Sequence, residues 1–180
     1  MRGSSTFRTV LTALFAALVC VATMFIRVPS PVSGYINLGD GFVLLSAFLL
    51  GPSLGTAAAG IGSALADLLS GYPMYAAGTL VIKALMALIA ATLCRRLGHG
   101  GTKSRLVAAV AAELWMALGY FVYSALCLGY GLAAAAEIPG NLCQGAAGVA
   151  VAAFLTPALM GSHEIREMLD KARRQRNRER

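Results

Sequence analysis

The sequence predicts an all-α integral membrane protein with six transmembrane helices and both termini in the cytoplasm. Three observations indicate this class: 58% of the 180 residues are hydrophobic, only 13% are charged, and the mean hydropathy is +0.71. A soluble domain carries about 25% charged residues, whereas a bilayer span needs ~20 apolar residues, which allows about six spans here. The composition excludes a soluble enzyme, a disordered protein and a disulfide scaffold.

The first predicted span runs from Thr9 to Ile26 and is preceded by arginines. A cleavable signal peptide has a similar start but a shorter apolar core, so we expect this helix to be retained. The loop Arg27 to Asp40 follows and is rich in proline and glycine, which are residues typical of turns.

The next uncharged run, Gly41 to Ala66, is interrupted by Gly51 and Pro52. Proline is disfavoured inside a helix but tolerated at its start. The sequence therefore predicts a short second helix over Asp40–Leu50 and a third over Pro52–Leu69.

Three further spans and their loops complete the predicted membrane domain, which we assign to residues 1–162. The fourth, fifth and sixth helices are predicted over Gly78–Cys94, Leu106–Leu128 and Pro139–Met160. The intervening loops are Ser70–Ala77, Arg95–Arg105 and Gly129–Ile138. Residues 163–180 are predicted to be a basic cytoplasmic tail, either disordered or a lipid-facing anchor, since anionic headgroups attract such clusters.

The positive charge supports this topology. All lysines and arginines except Arg27 and Lys83 lie near the two ends or in the loop Arg95–Arg105. Six spans place both ends and this loop on one side, and basic loops face the cytoplasm. We therefore expect a multi-pass protein of the plasma membrane, and no nucleic-acid partner despite the net charge of +7.

No cofactor or metal site is predicted. The four cysteines are far apart in apolar sequence, and the two histidines, His99 and His163, are isolated. Zinc sites need clustered ligands, so the cysteines are interpreted as small packed side chains.

Three ionisable residues fall well inside predicted spans: Asp67, Lys83 and Glu113. Each costs at least ~2.5 kcal/mol at bilayer depth and needs a partner or a cavity. One interpretation is a structural ion pair of Lys83 with Asp67 or Glu113, and the other is a ligand cavity in which Lys83 contacts an anionic substrate such as pantothenate. The sequence leaves both open.

Polar residues at helical spacing favour a cavity in the outer half of the bundle. Glu113, Tyr120, Ser124 and Cys127 share one face of the fifth helix, and Asn141 and Gln144 are three residues apart in the sixth. Amides, hydroxyls and aromatic rings suit a small polar ring compound, although the amides also fit interhelical hydrogen bonding and the tyrosines an interfacial belt. The predicted substrate-binding residues are Asn37, Asp67, Tyr75, Lys83, Glu113, Tyr120, Ser124, Asn141 and Gln144.

Several segments resemble the substrate-binding S components of energy-coupling factor (ECF) transporters, over about residues 9 to 162. The similarity is closest to the hydroxymethylpyrimidine, pyridoxine and riboflavin group. It is carried by residues 34–41 (GYINLGDG), 50–52 (LGP), 62–72 (GSALADLLSGY), 82–86 (IKALM), 118–121 (LGYF) and 138–145 (IPGNLCQG).

The resemblance implies a six-helix subunit without enzymatic activity that captures a small water-soluble vitamin or precursor, with the vitamin B6 or hydroxymethylpyrimidine type favoured. It implies pairing with a membrane coupling subunit and two cytoplasmic ATPases, and toppling in the membrane to release substrate. The family's Ala-x-x-x-Ala contact with the coupling subunit falls on Ala13 and Ala17.

Two other function classes remain as alternatives. A self-sufficient secondary transporter or channel is less favoured because no internal repeat is evident. A membrane enzyme acting on lipids needs clustered carboxylates or a nucleophile set, whereas Asp67 and Glu113 stand alone in the sequence.

Overall fold

The computed structural model describes residues 2–30, 32, 34–98 and 101–178, which form an almost entirely helical bundle. In chain order the elements are α1 (Arg2–Phe25), β1 (Arg27–Pro29), β2 (Tyr35–Asn37), α2 (Gly39–Leu69), α3 (Pro73–Arg96), α4 (Thr102–Val122), a π-helical turn (Tyr123–Cys127), a 3₁₀ helix (Gly131–Glu137), α5 (Ile138–Gly161) and α6 (His163–Arg178). α2 lies at the centre and packs against α1, α3 and α5.

Helix α1 presents one face to the bundle and the other outward. Leu11, Phe15 and Val19 are buried at four-residue spacing, whereas Val10 and Leu14 are exposed. This pattern suits a helix at the rim of a membrane bundle, with its apolar outer face available to lipid.

The predicted loop after α1 contains a short antiparallel hairpin. β1 pairs with β2 so that Arg27 lies opposite Asn37 and Pro29 lies opposite Tyr35. The Tyr35 ring packs against Tyr72, with 4.8 Å between ring centroids. The hairpin is therefore tied to the segment that joins α2 and α3.

The backbone of α2 breaks at Gly51, where the sequence predicts the boundary of two helices. Gly51 has φ 81° and ψ −174°, a conformation that glycine adopts without steric cost, and Pro52 begins the next helical segment. Behind the break, Ser46 Oγ donates a 3.2 Å hydrogen bond to the Gly55 carbonyl. The predicted second and third helices are thus the two halves of one broken element.

Five helical stretches of the described chain are long and apolar enough to cross a membrane. They are Thr6–Phe25, Gly39–Leu69, Pro73–Arg96, Thr102–Cys127 and Gly131–Gly161. Because Gly51 divides the second of them, the five stretches correspond to the six predicted apolar segments.

The predicted start of the fourth span is wrong. α3 begins at Pro73 rather than near Gly78, since proline fits the first turn of a helix. Tyr75 therefore lies on a helix rather than in a loop, and the connection after Leu69 is short.

The predicted polar face of α4 is also interrupted. The π-helical turn Tyr123–Cys127 changes the angular spacing of side chains, so Ser124 is buried but Cys127 is exposed. Cys127 thus does not continue the face formed by Glu113, Tyr120 and Ser124.

Two groups of buried apolar side chains hold the described bundle together. One surrounds Leu44, Met86 and Met116 of α2, α3 and α4. The other joins Leu11 of α1 to Leu169 of α6, which is only 4% exposed. The predicted tail is therefore a helix that contacts the bundle, and the expectation of a disordered segment is wrong for residues 163–178.

Candidate ligand-binding site

A cavity lies under the hairpin, where α2 ends and α3 and α5 begin. It holds about 430 Å³ of empty space, including its open mouth. Its lining among the described residues is Ser30, Gly34, Tyr35, Ile36, Asn37, Asp67, Tyr75, Thr79, Tyr120, Glu137, Asn141 and Gln144. The space is narrow and its wall is rich in polar and aromatic side chains.

The hairpin supplies one wall and is hydrogen-bonded to the helices beneath it. The Tyr35 hydroxyl donates a 2.7 Å hydrogen bond to Asp67 Oδ1. Burial and, next, the Asp67 charge raise the pKa of the Tyr35 hydroxyl well above its ordinary value, so this group stays a donor at neutral pH. Gly34, at φ 75°, leaves room for the Tyr75 ring, which would lie 3.2 Å from an added Cβ.

Gln144 connects the hairpin to the bundle interior. Its Oε1 accepts a 2.7 Å hydrogen bond from the backbone N–H of Asn37, and its Nε2 donates a 2.7 Å hydrogen bond to Asp40 Oδ2. Asn37 in turn accepts a hydrogen bond from the N–H of Gly39. Both the oxygen and the nitrogen of the Gln144 side-chain amide are therefore engaged by the protein.

Lys83 pairs with Asp40, which neither sequence-based interpretation included. The ammonium group contacts Asp40 Oδ1, and the two side chains are almost completely buried. The predicted pairs of Lys83 with Asp67 or Glu113 are wrong, because the fold turns Asp40 inward at the start of α2. The Lys83 ammonium also lies 5.3 Å from the centre of the Tyr120 ring.

Glu113 is buried next to this pair, with the glycines of α5 on its other side. A Cβ added at Gly148 would lie 2.6 Å from Glu113 Oε1, and one at Gly145 would lie 3.2 Å from Oε2. Neither carboxyl oxygen has a hydrogen-bond partner among the described residues. The missing Cβ atoms thus create the space that this side chain occupies.

A second carboxyl group, that of Glu137, also lines the cavity. Glu137 Oε2 accepts a 2.9 Å hydrogen bond from Ser124, and Oε1 accepts a longer one of 3.4 Å from Tyr75. Thr79 and Tyr120 share a 3.0 Å hydrogen bond on the neighbouring wall. From the sequence, Glu137 stands out only as a carboxyl group two residues before Pro139, where the last span is predicted to begin.

The structure brings six of the predicted binding residues to the cavity wall. They are Asn37, Asp67, Tyr75, Tyr120, Asn141 and Gln144. Lys83, Glu113 and Ser124 lie behind this wall instead, whereas Tyr35, Thr79 and Glu137 belong to it without having been predicted.

The cavity wall contains a buried acceptor that no donor of the described chain satisfies. Asp67 Oδ2 is buried without a partner among the described residues, and the ammonium of Lys83 is already taken by Asp40. A ligand in this space meets the carboxyl groups of Asp67 and Glu137, which favour a neutral or cationic molecule with hydrogen-bond donors. The described chain holds no group of three side chains suited to a metal ion.

A larger, apolar groove lies along α1 and the second half of α2, away from this cavity. Its volume is about 1350 Å³ when the open solvent at its mouth is counted, and its wall contains Ala13, Ala16 and Ala17. Arg8 and Thr12 lie on the same wall, and Leu54, Ile61 and Leu65 form the opposite side. The groove therefore has small side chains where another helix could approach closely.

Comparison with known proteins agrees with this architecture. The chain is 38% identical to a Pyrococcus woesei protein described as "Uncharacterized protein in gap 3'region", over 74% of this chain and 88% of that one. It also superposes on the S component of a bacterial ECF transporter with a TM-score of 0.71 and 23% identity, covering 87% of this chain and 97% of the other. This second likeness concerns the fold.

A family model described as "ECF-type riboflavin transporter, S component" matches residues 3–160. The match covers most of the chain, including the cavity and the groove. The protein is thus a multi-pass membrane subunit that binds substrate for an ECF transporter, and it belongs to the ECF-type riboflavin transporter S component family.

Proposed function

We propose that the cavity under the hairpin captures a small water-soluble vitamin or precursor with one aromatic ring, of the vitamin B6 or hydroxymethylpyrimidine type. The observation that carries this proposal is the wall itself. The rings of Tyr35, Tyr75 and Tyr120 surround a narrow space in which Asp67 Oδ2 is a buried acceptor without a donor. Hydroxyl and amino substituents on a small ring supply the missing donors.

Two other vitamins suit the cavity less well. Riboflavin is the second candidate because the family description names it, but its three fused rings would fill a larger share of the cavity, which holds about 430 Å³ including its open mouth, than a single ring does. Pantothenate is an anion, whereas the described lining of the cavity has two carboxyl groups and no lysine or arginine, and Lys83 is engaged by Asp40.

The membrane arrangement that we propose has six spans, cytoplasmic termini and the cavity on the outer half. Basic residues at both ends and in the loop 95–105 support this orientation. The outward-facing cavity collects substrate at the plasma membrane, and residues 163–180 lie in the cytoplasm.

The partners that we propose are a membrane coupling subunit and two cytoplasmic ATPases. Ala13 and Ala17 are exposed on the wall of the α1–α2 groove, where their small side chains let a helix of the coupling subunit approach. The substrate-binding cavity and the coupling contact are then separate surfaces of one subunit.

Isothermal titration of the purified protein tests the substrate class. The panel is pyridoxine, hydroxymethylpyrimidine, riboflavin, thiamine and pantothenate, and we expect the first two to bind most tightly. Gln144→Leu removes a polar wall residue and should weaken this binding, whereas Cys143→Ala, on the exposed side of the same turn, should not. Failure of all five compounds to bind, or preferential binding of pantothenate, would contradict the proposal.

A further inference from the structure

The buried contacts of Gln144 determine which end of its amide faces the cavity. The partner on one side is the backbone N–H of Asn37, which can only donate, so the atom facing it must be the carbonyl oxygen. The partner on the other side is the carboxylate of Asp40, which accepts from Lys83 and from Gln144. Both partners require the same orientation, which is therefore fixed by their chemistry.

The contacts of Gln144 within the protein leave only part of its hydrogen-bonding capacity for a ligand. The amide nitrogen carries two hydrogens, which face Asp40 Oδ2 and, at 3.9 Å, the sulfur of Met116. The carbonyl oxygen has two lone pairs, and the Asn37 N–H uses one. What remains for the cavity is one acceptor and no donor.

We infer that the buried pair Asp40–Lys83 is a positioning device that makes Gln144 present only its carbonyl oxygen to the ligand. The inference rests on the proposed function of the cavity and adds two residues that do not line it. Lys83 holds the Asp40 carboxyl group at Oδ1, Asp40 Oδ2 holds the Gln144 amino group, and Gln144 in turn holds the hairpin at Asn37. The ligand group that faces Gln144 is consequently a hydroxyl or amine hydrogen.

Replacing Asp40 by asparagine should upset this arrangement without changing the shape of the side chain. If the new amide turns its oxygen to Lys83, its NH₂ group faces the NH₂ group of Gln144. Gln144 must then either lose this contact or rotate, and rotation places its NH₂ group against the Asn37 N–H. Each outcome weakens the hairpin contact or offers the ligand a donor instead of an acceptor.

Hydrogen exchange of the vitamin-free protein tests the positioning step without any ligand. We expect Asp40→Asn to raise the exchange rate of the Asn37 amide about tenfold, as loss of one hydrogen bond of ~1.4 kcal/mol would. Gln144→Met should produce the same increase, and Cys143→Ala should produce none. An Asn37 amide as protected in Asp40→Asn as in the unmodified protein would overturn the inference.

Asp40→Asn leaves the buried Lys83 ammonium with a weaker partner, which by itself destabilises the fold. A second variant controls for this effect. Asp40→Leu combined with Lys83→Met removes both charges and also the acceptor for the Gln144 NH₂ group, and we expect it to show the same exchange increase. Adding Gln144→Met to this double variant should cause no further increase, since all three residues act through one contact. Additive increases would mean that the pair stabilises the fold independently of Gln144.

Ligand binding provides the second measurement. Pyridoxine should bind the Asp40→Asn variant about tenfold more weakly, and O-methylation of its ring hydroxyl or one of its hydroxymethyl groups should reduce this difference. Equal loss for pyridoxine and every methylated form would contradict the donor requirement. If no vitamin binds even the unmodified protein, the proposed function fails, whereas the exchange experiment still decides the positioning step.

Discussion

The cavity under the hairpin and the groove along α1 and α2 differ in volume and in the polarity of their walls. The cavity is small, about 430 Å³, and its wall carries carboxyl, amide and phenol groups with defined partners. The groove is about three times as large, and alanines with a few larger apolar side chains form most of its wall. Directional polar groups select one small molecule, whereas a smooth apolar surface accepts a helix by close packing. If the groove binds a partner helix as we propose, one bundle separates selection of the ligand from assembly with the partner.

The largest expected effect comes from filling the groove. Ala13→Trp and Ala17→Trp should reduce vitamin uptake by cells to background while leaving binding to the purified subunit unchanged, because the indole blocks a neighbouring helix but lies outside the cavity. Uptake of labelled vitamin and titration of the pure protein measure the two effects. Leu14→Trp, on the exposed face outside the groove, is the control. Loss of binding in both alanine variants would mean that α1 serves the cavity or the fold.

A smaller effect is expected from a substitution at the contact between α1 and α2, the two helices that form the groove. A Cβ at Gly62 would lie 2.4 Å from the carbonyl oxygen of Ala16, so Gly62→Ala should push α1 away from α2. We expect a cost of about 1–3 kcal/mol and a melting temperature several degrees lower, with vitamin affinity nearly preserved. Gly161→Ala, where the added atom meets nothing within 4 Å, is the matched control. Equal melting temperatures would show that the helix contact is looser than the distances indicate.

The next effect concerns the cavity alone. Asn141 lines it, and no hydrogen bond of its amide is found within the described chain. Asn141→Ala should therefore weaken vitamin binding about fivefold, as loss of a ligand hydrogen bond of ~1 kcal/mol would, without lowering the melting temperature. Leu142→Ala, at the next and exposed position, should leave affinity unchanged. An equal affinity of Asn141→Ala and the unmodified protein would remove Asn141 from the site.

The smallest effect is expected at the hairpin. Because burial and Asp67 raise the Tyr35 pKa, the hydroxyl contributes its hydrogen bond fully below the ordinary tyrosine pKa, and the contribution is lost only as pH rises through the raised value. Tyr35→Phe should weaken vitamin binding by a few-fold at most, and the ratio of the two affinities should stay constant from about pH 7 to about pH 10.5, beyond the ordinary tyrosine pKa. Titrations at several pH values measure this ratio. A ratio that falls across this range would mean that Tyr35 ionises near its ordinary pKa.

The sequence was sufficient for features that depend on local composition. Gly51 and Pro52 identified the break in α2, and long apolar runs with few charges identified the candidate membrane segments. The polar residues Asn141 and Gln144 were recognisable because amides are rare in apolar sequence. These signals are read from neighbouring residues and need no knowledge of how the helices pack.

Features that depend on packing were not recoverable from the sequence. The partner of Lys83 is Asp40 rather than Asp67 or Glu113, because the choice among three carboxyl groups follows from which helix faces meet. The strands Arg27–Pro29 and Tyr35–Asn37 are only three residues long, too short for alternation to be evident. The packing of Leu169 into the same apolar group as Leu11 of α1 was also not predictable, because most residues near Leu169 in the sequence are polar or charged.

The separation of Asp40 from its partners along the chain has a consequence for biosynthesis. Lys83 follows Asp40 by 43 residues and Gln144 follows it by 104. When the first half of α2 leaves the ribosome, its carboxylate has neither partner and therefore resists burial in lipid. Asp40 can have both partners only after α5, which carries Gln144, has been synthesised.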